Sequence, residues 1–393
     1  MSGLYSGADG QSPDGRKEEV VRDSLMDLAR GLAERGRYTV APNPLVGAVV
    51  ARDGIVVGKA WHSRAGKDHA EVGALKDAGD AARGATIYVT LEPCNHHGRT
   101  PPCVGAILRA GVSRVVVGAL DLDPRMCGKS VGMLREAGVE VEVLDDPVFE
   151  AQNEQYFHFM STGRPFVHVK LAATLDGKIA AAGGDSRWVT GEDARRRAHE
   201  LRAEAGAVLV GAGTARADDP LLTPRDLSEE PPRITRAILD PHLTISPESR
   251  LALSVAQGPV VIFAEHEALD GRQHNLEALG VEVVGTPRSE EGLDLGHVLD
   301  ELARRRIRAV LVEGGGETAT GFVRRGLADK LTLFYAPKLI GSEGVPMIGS
   351  LRATKMAGSL NFSISEVERF GGDVAVTLYP AAVGKEERVH RAC

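Results

Sequence analysis

The sequence predicts an α/β protein of two domains, and three observations support this fold class. The chain has 393 residues, more than one domain usually contains, with enough apolar side chains for two cores. Helical and strand patterns alternate in both halves, which is typical of layered sheets covered by helices. Asp145-Asp146-Pro147 interrupts this alternation. We therefore predict a tail at residues 1–17, a first domain at 18–146 and a second domain at 147–393.

The first half predicts the element order α-β-β-α-β-α-β-α-β. Apolar residues at helical spacing favour a first helix over 18–35, and the polar, Gly/Ser-rich residues before it favour a disordered tail. Strands at 45–51 and 55–60 flank Asp53-Gly54, a pair that favours a hairpin turn. The remaining helices of this half are predicted at 69–79, 103–110 and 130–137, and its remaining strands at 85–90, 112–118 and 139–144.

The second half begins, after a short helix predicted at 149–159, with a strand at 166–172. Its later strands are predicted at 207–210, 236–239, 260–263, 281–284, 307–312 and 330–335. Its helices are predicted at 191–203, 295–305 and 317–325. Two last segments, 362–367 and 374–379, favour an antiparallel pair that closes the domain.

Composition argues against several classes of partner. Hydrophobic residues make up 43% of the chain and charged residues 26%, as in ordinary globular proteins. The net charge is −7 and the basic runs are short, so nothing favours a nucleic-acid partner. The N-terminal residues lack the apolar core of a signal peptide, no apolar stretch is long enough to cross a bilayer, and the four cysteines show no disulfide framework. We expect a protein of the reducing cytoplasm.

A set of nitrogen and sulfur side chains predicts a metal centre. His69, Cys94 and Cys103 are of the types that zinc prefers, and a catalytic zinc keeps its fourth position for water. Pro101-Pro102 favours a helix that starts at Cys103, where the helix dipole stabilises a thiolate. Glu71 is too close to His69 for a second ligand at helical spacing and is predicted to carry protons beside the metal. Buried, inert thiols are the alternative for the cysteines.

This combination is typical of zinc deaminases, in which water attacks an amidine carbon and a glutamate transfers the proton. The short form of their signature places two residues between the cysteines, whereas eight separate Cys94 from Cys103. The stretches 69–71, Leu91-Glu92-Pro93-Cys94 and 97–103, with Pro42-Asn43-Pro44-Leu45-Val46-Gly47 upstream, resemble the bifunctional riboflavin-biosynthesis deaminase/reductase family. The long gap is usual in that family, and the resemblance covers residues from about 20 to 380.

For the first domain, the resemblance implies a cytidine-deaminase-like three-layer fold. It implies substrate contacts at Asn43, His62, His96, Arg99, Asp121 and Asp123. The family's Asp-Pro-Asn-Pro stretch appears here as 121–124, with Asp123 in place of asparagine, and its usual later glycine is Ser130. An aspartate accepts hydrogen bonds but cannot donate them as asparagine can. From the residues alone, a turn asparagine is the alternative for Asn43, and a surface or hydrogen-bonded structural histidine is the alternative for His62 and His96.

In the second domain a strand runs into Gly314-Gly315-Gly316 and then a helix. Glycine lets the backbone approach a ligand closely, and free N–H groups at a helix start can bind phosphate. A tight turn is the alternative, and the pattern is not the Rossmann fingerprint. The stretches 171–177, 186–190, 210–214 and 217–223 resemble the reductase part of the same family, which implies a dihydrofolate-reductase-like fold and NADPH.

The resemblance also implies which residues form the reductase site. Cofactor contacts would be Ala172, Trp188, Thr214, Asp218, Gly315, Gly316, Glu317, Thr318, Ala319, Thr320 and Gly321. Substrate contacts would be Ser186, Arg202, Leu222, Arg225 and Glu313. Arg202 and Arg225 suit a phosphate because a guanidinium donates paired charge-assisted bonds. A solvated surface charge is the commoner role of arginine, and a core position is the commoner role of Trp188.

We therefore predict a bifunctional enzyme of riboflavin biosynthesis. It would deaminate 2,5-diamino-6-(5-phosphoribosylamino)pyrimidin-4(3H)-one with zinc, and would then reduce the ribosyl side chain to ribityl with NADPH. The predicted partners are this small phosphorylated substrate and further copies of the same chain. A nucleoside or tRNA deaminase fused to an unrelated reductase-like domain is the competing enzyme hypothesis. A zinc-stabilised binding module without activity is a further alternative, but it would lack Glu71, which is present.

Overall fold

The fold is taken from a computed structural model, which describes residues 13–97 and 101–381. The chain forms two compact units, and the division falls between Ser161 and Thr162. The sequence placed the division between 146 and 147. It falls later because residues 147–161 pack with the first unit, on its sheet.

The described residues of the first unit form a five-stranded sheet and six α-helices. Its helices are α1 Pro13–Ala33, α2 Ala70–Ala78, α3 Cys103–Ala110, α4 Lys129–Glu136, α5 Pro147–Gln152 and α6 Glu154–Thr162. Its strands are β1 Gly47–Arg52, β2 Ile55–Trp61, β3 Thr86–Leu91, β4 Arg114–Ala119 and β5 Glu140–Val143. The sheet order is β2-β1-β3-β4-β5, with β2, β1 and β3 antiparallel and β3, β4 and β5 parallel. The predicted element order is confirmed.

Helices cover both faces of this sheet, so the unit has three layers. Alternate residues of a strand point to opposite faces. On β1, Ala48 and Val50 join the core formed with α2, α3 and α4. Val49 and Ala51 join the other core, to which α1, α5 and α6 contribute. The three-layer α/β fold predicted for the first domain is confirmed.

Two local predictions for this unit need correction. The first helix begins at Pro13, so the predicted tail is helical from residue 13; residues 1–12 lie outside the described part of the chain. The single helix predicted at 149–159 is two helices, α5 and α6, separated at Asn153. The hairpin prediction is confirmed, because Asp53 and Gly54 link β1 to β2 with φ of 52° and 76°.

In the second unit, the residues up to 381 form a nine-stranded sheet and two small two-stranded sheets. Its helices are α7 Glu192–Glu204, α8 Ala212–Asp218, α9 Arg250–Leu253, α10 Gln273–Glu277, α11 Leu295–Arg304 and α12 Gly316–Arg324. Its strands are β6 Phe166–Thr174, β7 Lys178–Ala180, β8 Ala207–Gly211, β9 Thr235–Leu239, β10 Val260–Glu265, β11 Glu282–Thr286, β12 Arg288–Ser289, β13 Gly292–Leu293, β14 Ala309–Glu313, β15 Lys330–Ala336, β16 Val345–Pro346, β17 Phe362–Phe370 and β18 Asp373–Pro380.

The large sheet has the order β11-β10-β9-β8-β14-β6-β15-β18-β17. The strands from β11 to β15 are parallel, and β18 and β17 close the sheet as the predicted antiparallel pair. Parallel strands place their carboxyl ends at one edge, and loops at that edge usually form the binding crevice of an open α/β sheet. The loops after β8 and β14, which carry predicted cofactor contacts, therefore lie side by side.

Among the described residues, no helix combines the length and the apolar character needed to span a membrane.

Candidate functional site

His69, Cys94 and Cys103 converge in the first unit. His69 Nδ1 lies 3.4 Å from Cys94 Sγ and 3.2 Å from Cys103 Sγ, and the two sulfurs are 3.3 Å apart. Cys94 and Cys103 carry free thiols. Cys127 is disulfide-bonded, contrary to the expectation from the cysteine pattern. The predicted metal set is therefore brought together by the fold.

Three elements hold this set in place. His69 is the residue immediately before α2, and Cys103 is the first residue of α3. Cys94 follows β3, and the backbone N–H of Cys103 donates to its sulfur at 3.3 Å. The start of a helix stabilises an anionic sulfur because its free N–H groups carry partial positive charge. The predicted helix start at Cys103 is confirmed.

The donor set fits zinc. Its ligand atoms lie within 4.8 Å of one another, and one imidazole with two thiols matches the known preference of zinc for nitrogen and sulfur. Ligand atoms of a tetrahedral zinc site are about 3.5–3.8 Å apart, so this set needs to open by only a few tenths of an ångström. The hydrogen bond from the Cys103 thiol lowers the pKa of Cys94 to about 4, which already favours a thiolate.

Glu71 lies in the first turn of α2 beside the metal set and is buried. Burial is the main cause that raises its pKa to about 7, and the charge of Cys94 adds to the shift. A carboxyl group with such a pKa can both accept and release a proton near neutral pH. The position and the chemistry of Glu71 suit proton transfer.

A pair of polar side chains lies next to His69. The ring of His62 is 5.2 Å from that of His69, and its Nε2 lies 3.0 Å from Asn43 Nδ2. The other ring nitrogen of His62 lies 3.0 Å from the carbonyl oxygen of Asp68. A proton on Nδ1 satisfies both contacts, since the neutral ring then donates to Asp68 and accepts from Asn43. His62 is buried and bonded, and the fold places both predicted residues beside the metal set.

The loop between β4 and α4 carries Asp121 and Asp123. Asp121 accepts hydrogen bonds from the Tyr156 hydroxyl at 2.7 and 3.0 Å, and burial raises its pKa. Asp123 is paired with Arg125, whose hydrogen bonds lower its pKa. The Asp123 carboxylate, which stands where the family pattern has asparagine, is therefore neutralised by the neighbouring Arg125.

Two further contacts tie this loop to the metal region. The carboxylate of Glu92 accepts from the backbone N–H groups of Asp121, Gly128 and Ser130 at 3.2, 2.9 and 3.0 Å. His96 Nδ1 lies 3.4 Å from Met126 Sδ. Arg99 lies outside the described residues. The described candidates of the first domain therefore occupy one region around the metal set.

In the second unit the glycine loop after β14 contacts α8. The hydroxyl of Thr214 accepts a hydrogen bond from the Gly315 N–H at 2.9 Å. Gly314 has φ of +88°, and a Cβ added there would lie 2.7 Å from the Thr214 side chain. The first residues of α12 follow directly, and the Thr320 hydroxyl donates to the Gly316 carbonyl. Thr214 and the 315–321 loop are therefore neighbours, and Asp218 ends the same helix α8.

Arg202 and Glu313 form a buried ion pair at the end of β14. Arg202 donates from Nε and Nη2 to one carboxylate oxygen of Glu313 at 2.9 and 2.6 Å. Burial opposes the charge on Glu313, but Arg202 and Lys170 outweigh it and lower its pKa. Arg202 also donates to the carbonyl oxygen of Thr223, which follows Leu222. This arrangement leaves Arg202 less free to bind a phosphate than Arg225, whose side chain is 58% exposed.

Trp188 and Ser186 lie on a different segment, between β7 and α7. Trp188 is 61% exposed, so the commoner core role does not apply. The guanidinium of Arg195 stacks 4.5 Å from its ring centroid, a cation–π contact that holds the ring at the surface. Ser186 is half-buried, and its carbonyl oxygen accepts a hydrogen bond from the backbone N–H of Val189.

Sequence reasoning missed Lys170 and His199 in this unit. Lys170 lies two residues before Ala172 on β6, so the two-residue period of a strand places both on one face. His199 lies one helical turn before Arg202 on α7, and its Nδ1 is 3.4 Å from the guanidinium. The strand spacing of Lys170 from Ala172 and the helical spacing of His199 from Arg202 could both have been found in the sequence. The pairing of Arg202 with Glu313 joins residues far apart in the chain and had no local signal.

Comparison with known proteins places each unit in a family. Residues 20–119 match the cytidine and deoxycytidylate deaminase zinc-binding region, and residues 165–376 match the RibD C-terminal domain. The riboflavin biosynthesis protein RibD of Aquifex aeolicus is 43% identical over 91% of this chain and 98% of its own length. The chain belongs to the RibD family. RibD of Escherichia coli is 38% identical, over 91% of this chain and 98% of its own length.

Solved structures of the RibD family agree along most of the chain. RibD of Acinetobacter baumannii superposes with a TM-score of 0.85 at 36% identity and covers 92% of this chain and 99% of its own. A diaminohydroxyphosphoribosylaminopyrimidine deaminase/5-amino-6-(5-phosphoribosylamino)uracil reductase of Thermotoga maritima superposes with a TM-score of 0.82 at 34% identity, covering 93% and 100%. The predicted family, the two fold classes and the bifunctional enzyme of riboflavin biosynthesis are confirmed. The zinc-dependent deaminase and the NADPH-dependent reductase are its two parts. The competing fusion with an unrelated domain is not supported.

Proposed function

We propose that the first unit deaminates 2,5-diamino-6-(5-phosphoribosylamino)pyrimidin-4(3H)-one and that the second reduces the ribosyl side chain of the product to ribityl. The observation that carries the proposal is the convergence of His69, Cys94 and Cys103 beside the buried Glu71. The name of the Thermotoga relative, which specifies this pyrimidine deaminase and uracil reductase, supports the choice of substrate.

In the deaminase, His69, Cys94 and Cys103 would hold the zinc. When bound, zinc lowers the pKa of a water molecule and so supplies the nucleophile for hydrolysis. Glu71 would carry one proton of that water to the ring nitrogen and the second to the departing amino group, so that ammonia leaves as the C–N bond breaks and a C=O bond remains. Its burial keeps the carboxyl group away from bulk water during this transfer.

Around this centre, Asn43, His62, His96, Asp121 and Asp123 would bind the substrate, and Arg99 would bind its phosphate. Asn43 still has hydrogen-bonding capacity for a ring after its contact with His62. Asp121 and Asp123 already accept hydrogen bonds from Tyr156 and Arg125, respectively. These bonds hold both carboxylates in one orientation, in which they would accept hydrogen bonds from the substrate.

In the reductase, NADPH would supply a hydride to the C1′ carbon of the opened sugar. Ala172, Trp188, Thr214, Asp218 and residues 315–321 would bind the cofactor, with the start of α12 facing its phosphates. Ser186, Arg202, Leu222, Arg225 and Glu313 would bind the substrate. The Arg225 side chain is exposed and its contact with Asp226 is 3.7 Å long, so it can turn towards a phosphate.

We further propose that the enzyme is a homo-oligomer in the cytoplasm. The edge strand β17 exposes Ile364 and Val367 by 64% and 61%, and an exposed apolar edge strand favours pairing with another chain. Sedimentation of the wild type and of Ile364→Glu tests the assembly, and one unchanged monomeric species in both would refute it. Cell fractionation tests the compartment, and recovery of the enzyme outside the cytoplasmic fraction would refute this part of the proposal.

The function itself is tested by incubating the purified chain with the diaminopyrimidine substrate, with and without NADPH. Without NADPH we expect release of ammonia and exchange of one amino group for an oxo group in the mass of the product. With NADPH we expect further gain of two hydrogens. No ammonia release from a zinc-loaded chain would refute the deaminase proposal, and no NADPH oxidation with deaminated substrate would refute the reductase proposal.

A further inference from the structure

Residues 147–161 lie between the regions matched by the two family models and belong to the first unit. They contain α5, Asn153 and most of α6, and Phe149, Tyr156 and Phe157 are buried in the core with α1. Gln152 also donates to the Arg30 carbonyl on α1 at 2.9 Å. The segment also buries two polar groups, the amide of Asn153 and the hydroxyl of Tyr156. A simple connector would be expected to leave such groups in solvent.

Asn153 clamps the loop that carries Asn43. It is only 5% exposed, its Oδ1 accepts from the Leu45 N–H at 2.8 Å, and its Nδ2 donates to the Leu45 carbonyl at 2.9 Å. Leu45 is two residues from Asn43, whose side chain contacts His62 beside the metal set. The paired bonds therefore fix the backbone from which Asn43 projects.

Tyr156 clamps the opposite loop. It is 7% exposed, and its hydroxyl donates to the carboxylate of Asp121. Asp121 Oδ1 also accepts the backbone N–H of Asp123 at 2.8 Å, so the tyrosine orients the carboxylate that shapes the turn. Asn153 immediately precedes α6 and Tyr156 lies in its first turn, and the Phe157 N–H donates to the Asn153 carbonyl at 3.0 Å, so the start of one helix holds both loops.

We propose that Asn153 and Tyr156 are positioning residues for the deaminase, which set the distance and orientation of the Asn43 and Asp121 loops around the substrate. This inference rests on the proposed deaminase function. Asn153 bonds to Leu45 and Tyr156 to Asp121, so both act through these two loops, and we expect the variants to change substrate binding while the metal is retained.

The test uses the full-length zinc enzyme and the variants Tyr156→Phe and Asn153→Asp. Tyr156→Phe removes only the hydroxyl, and Asn153→Asp places an acceptor against the Leu45 carbonyl. For each we expect the KM of deamination to rise roughly tenfold, a typical effect of losing a hydrogen bond to a charged or buried group, with little change in kcat. Zinc content and reduction of deaminated substrate should stay at wild-type values.

Matched controls separate positioning from stability. Tyr88→Phe makes the same change in the same core cluster, and Gln152→Glu makes the same amide-to-acid change next to Asn153 but towards α1. Both should lower thermal stability without raising KM. The inference is overturned if the KM of Tyr156→Phe and Asn153→Asp stays within about twofold of wild type, if the controls raise KM equally, or if the variants lose zinc. A wild type without ammonia release would instead refute the proposed function.

Discussion

Cys103 combines two tasks in one position. Its sulfur completes the metal set, and its backbone N–H donates to Cys94 at the start of α3. Serine would retain the helix start and the N–H but would replace a thiolate with a neutral hydroxyl. The two tasks can therefore be separated by a single substitution.

We expect the wild type to bind roughly one zinc ion per chain, and Cys103→Ser to lose most of it. Cys127→Ser removes a disulfide-bonded cysteine outside the metal set and should retain the ion. Metal analysis by mass spectrometry measures both variants. Full zinc occupancy in Cys103→Ser would show that this residue is not a ligand.

Arg225 differs from Arg202 in its freedom to bind a phosphate, because Arg202 is already paired with Glu313. Arg225→Lys replaces a two-pronged donor by a point charge. Loss of a charged hydrogen bond costs about 1.5–3 kcal/mol, so kcat/KM of the reductase should fall roughly 10–100-fold. The exposed Arg233→Lys is the control. Steady-state NADPH oxidation that is the same in both variants would return Arg225 to the role of a surface charge.

Single elements show what the sequence could and could not predict. The hairpin at Asp53-Gly54 and the helix starting at Cys103 were predictable, because turn residues and prolines act locally. The helix α8 was not predicted, since its seven residues, Ala212–Asp218, are too few to show a period. The contact of Tyr156 with Asp121 was also not predictable, because tertiary packing brings the two together. The metal ligands were found because their chemistry restricts the residue types.

The loop from β14 to α12 offers a test of the cofactor site. Gly314→Ala introduces a side chain at φ of +88° and 2.7 Å from Thr214. The backbone strain of about 1–2 kcal/mol lowers stability, and relief of the clash with Thr214 would displace the loop and the N–H groups at the start of α12. Because of this displacement we expect the Kd for NADPH to rise roughly tenfold, measured by calorimetry.

Gly326→Ala is the matched control for this loop. Gly326 has φ of +65° with no atom near the added Cβ, and it lies after the end of α12. It should lose stability by strain but should bind NADPH normally. Equal NADPH affinity of Gly314→Ala and wild type would remove this loop from the cofactor site.

The whole chain divides after Ser161, and this division makes a prediction about fragments. Residues 162–393 should fold and bind NADPH by calorimetry, because the predicted cofactor residues all follow the division. A fragment from 147 would carry Phe149, Tyr156 and Phe157 without their core and should aggregate. A folded 162–393 fragment that does not bind NADPH would contradict the assignment of the reductase to the second unit.

The central claim is that one chain carries a metal-assisted deaminase and a reductase with separate catalytic groups. The most direct measurement is the Glu71→Gln variant, with zinc content, ammonia release and NADPH oxidation recorded on one preparation. Glutamine keeps the shape of the side chain but cannot transfer a proton. We expect normal zinc content and a deamination rate that is lower by about 10²–10⁴-fold. NADPH oxidation with deaminated substrate should be unchanged. Near-normal ammonia release would contradict the role of Glu71, and loss of zinc would make Glu71 a ligand instead.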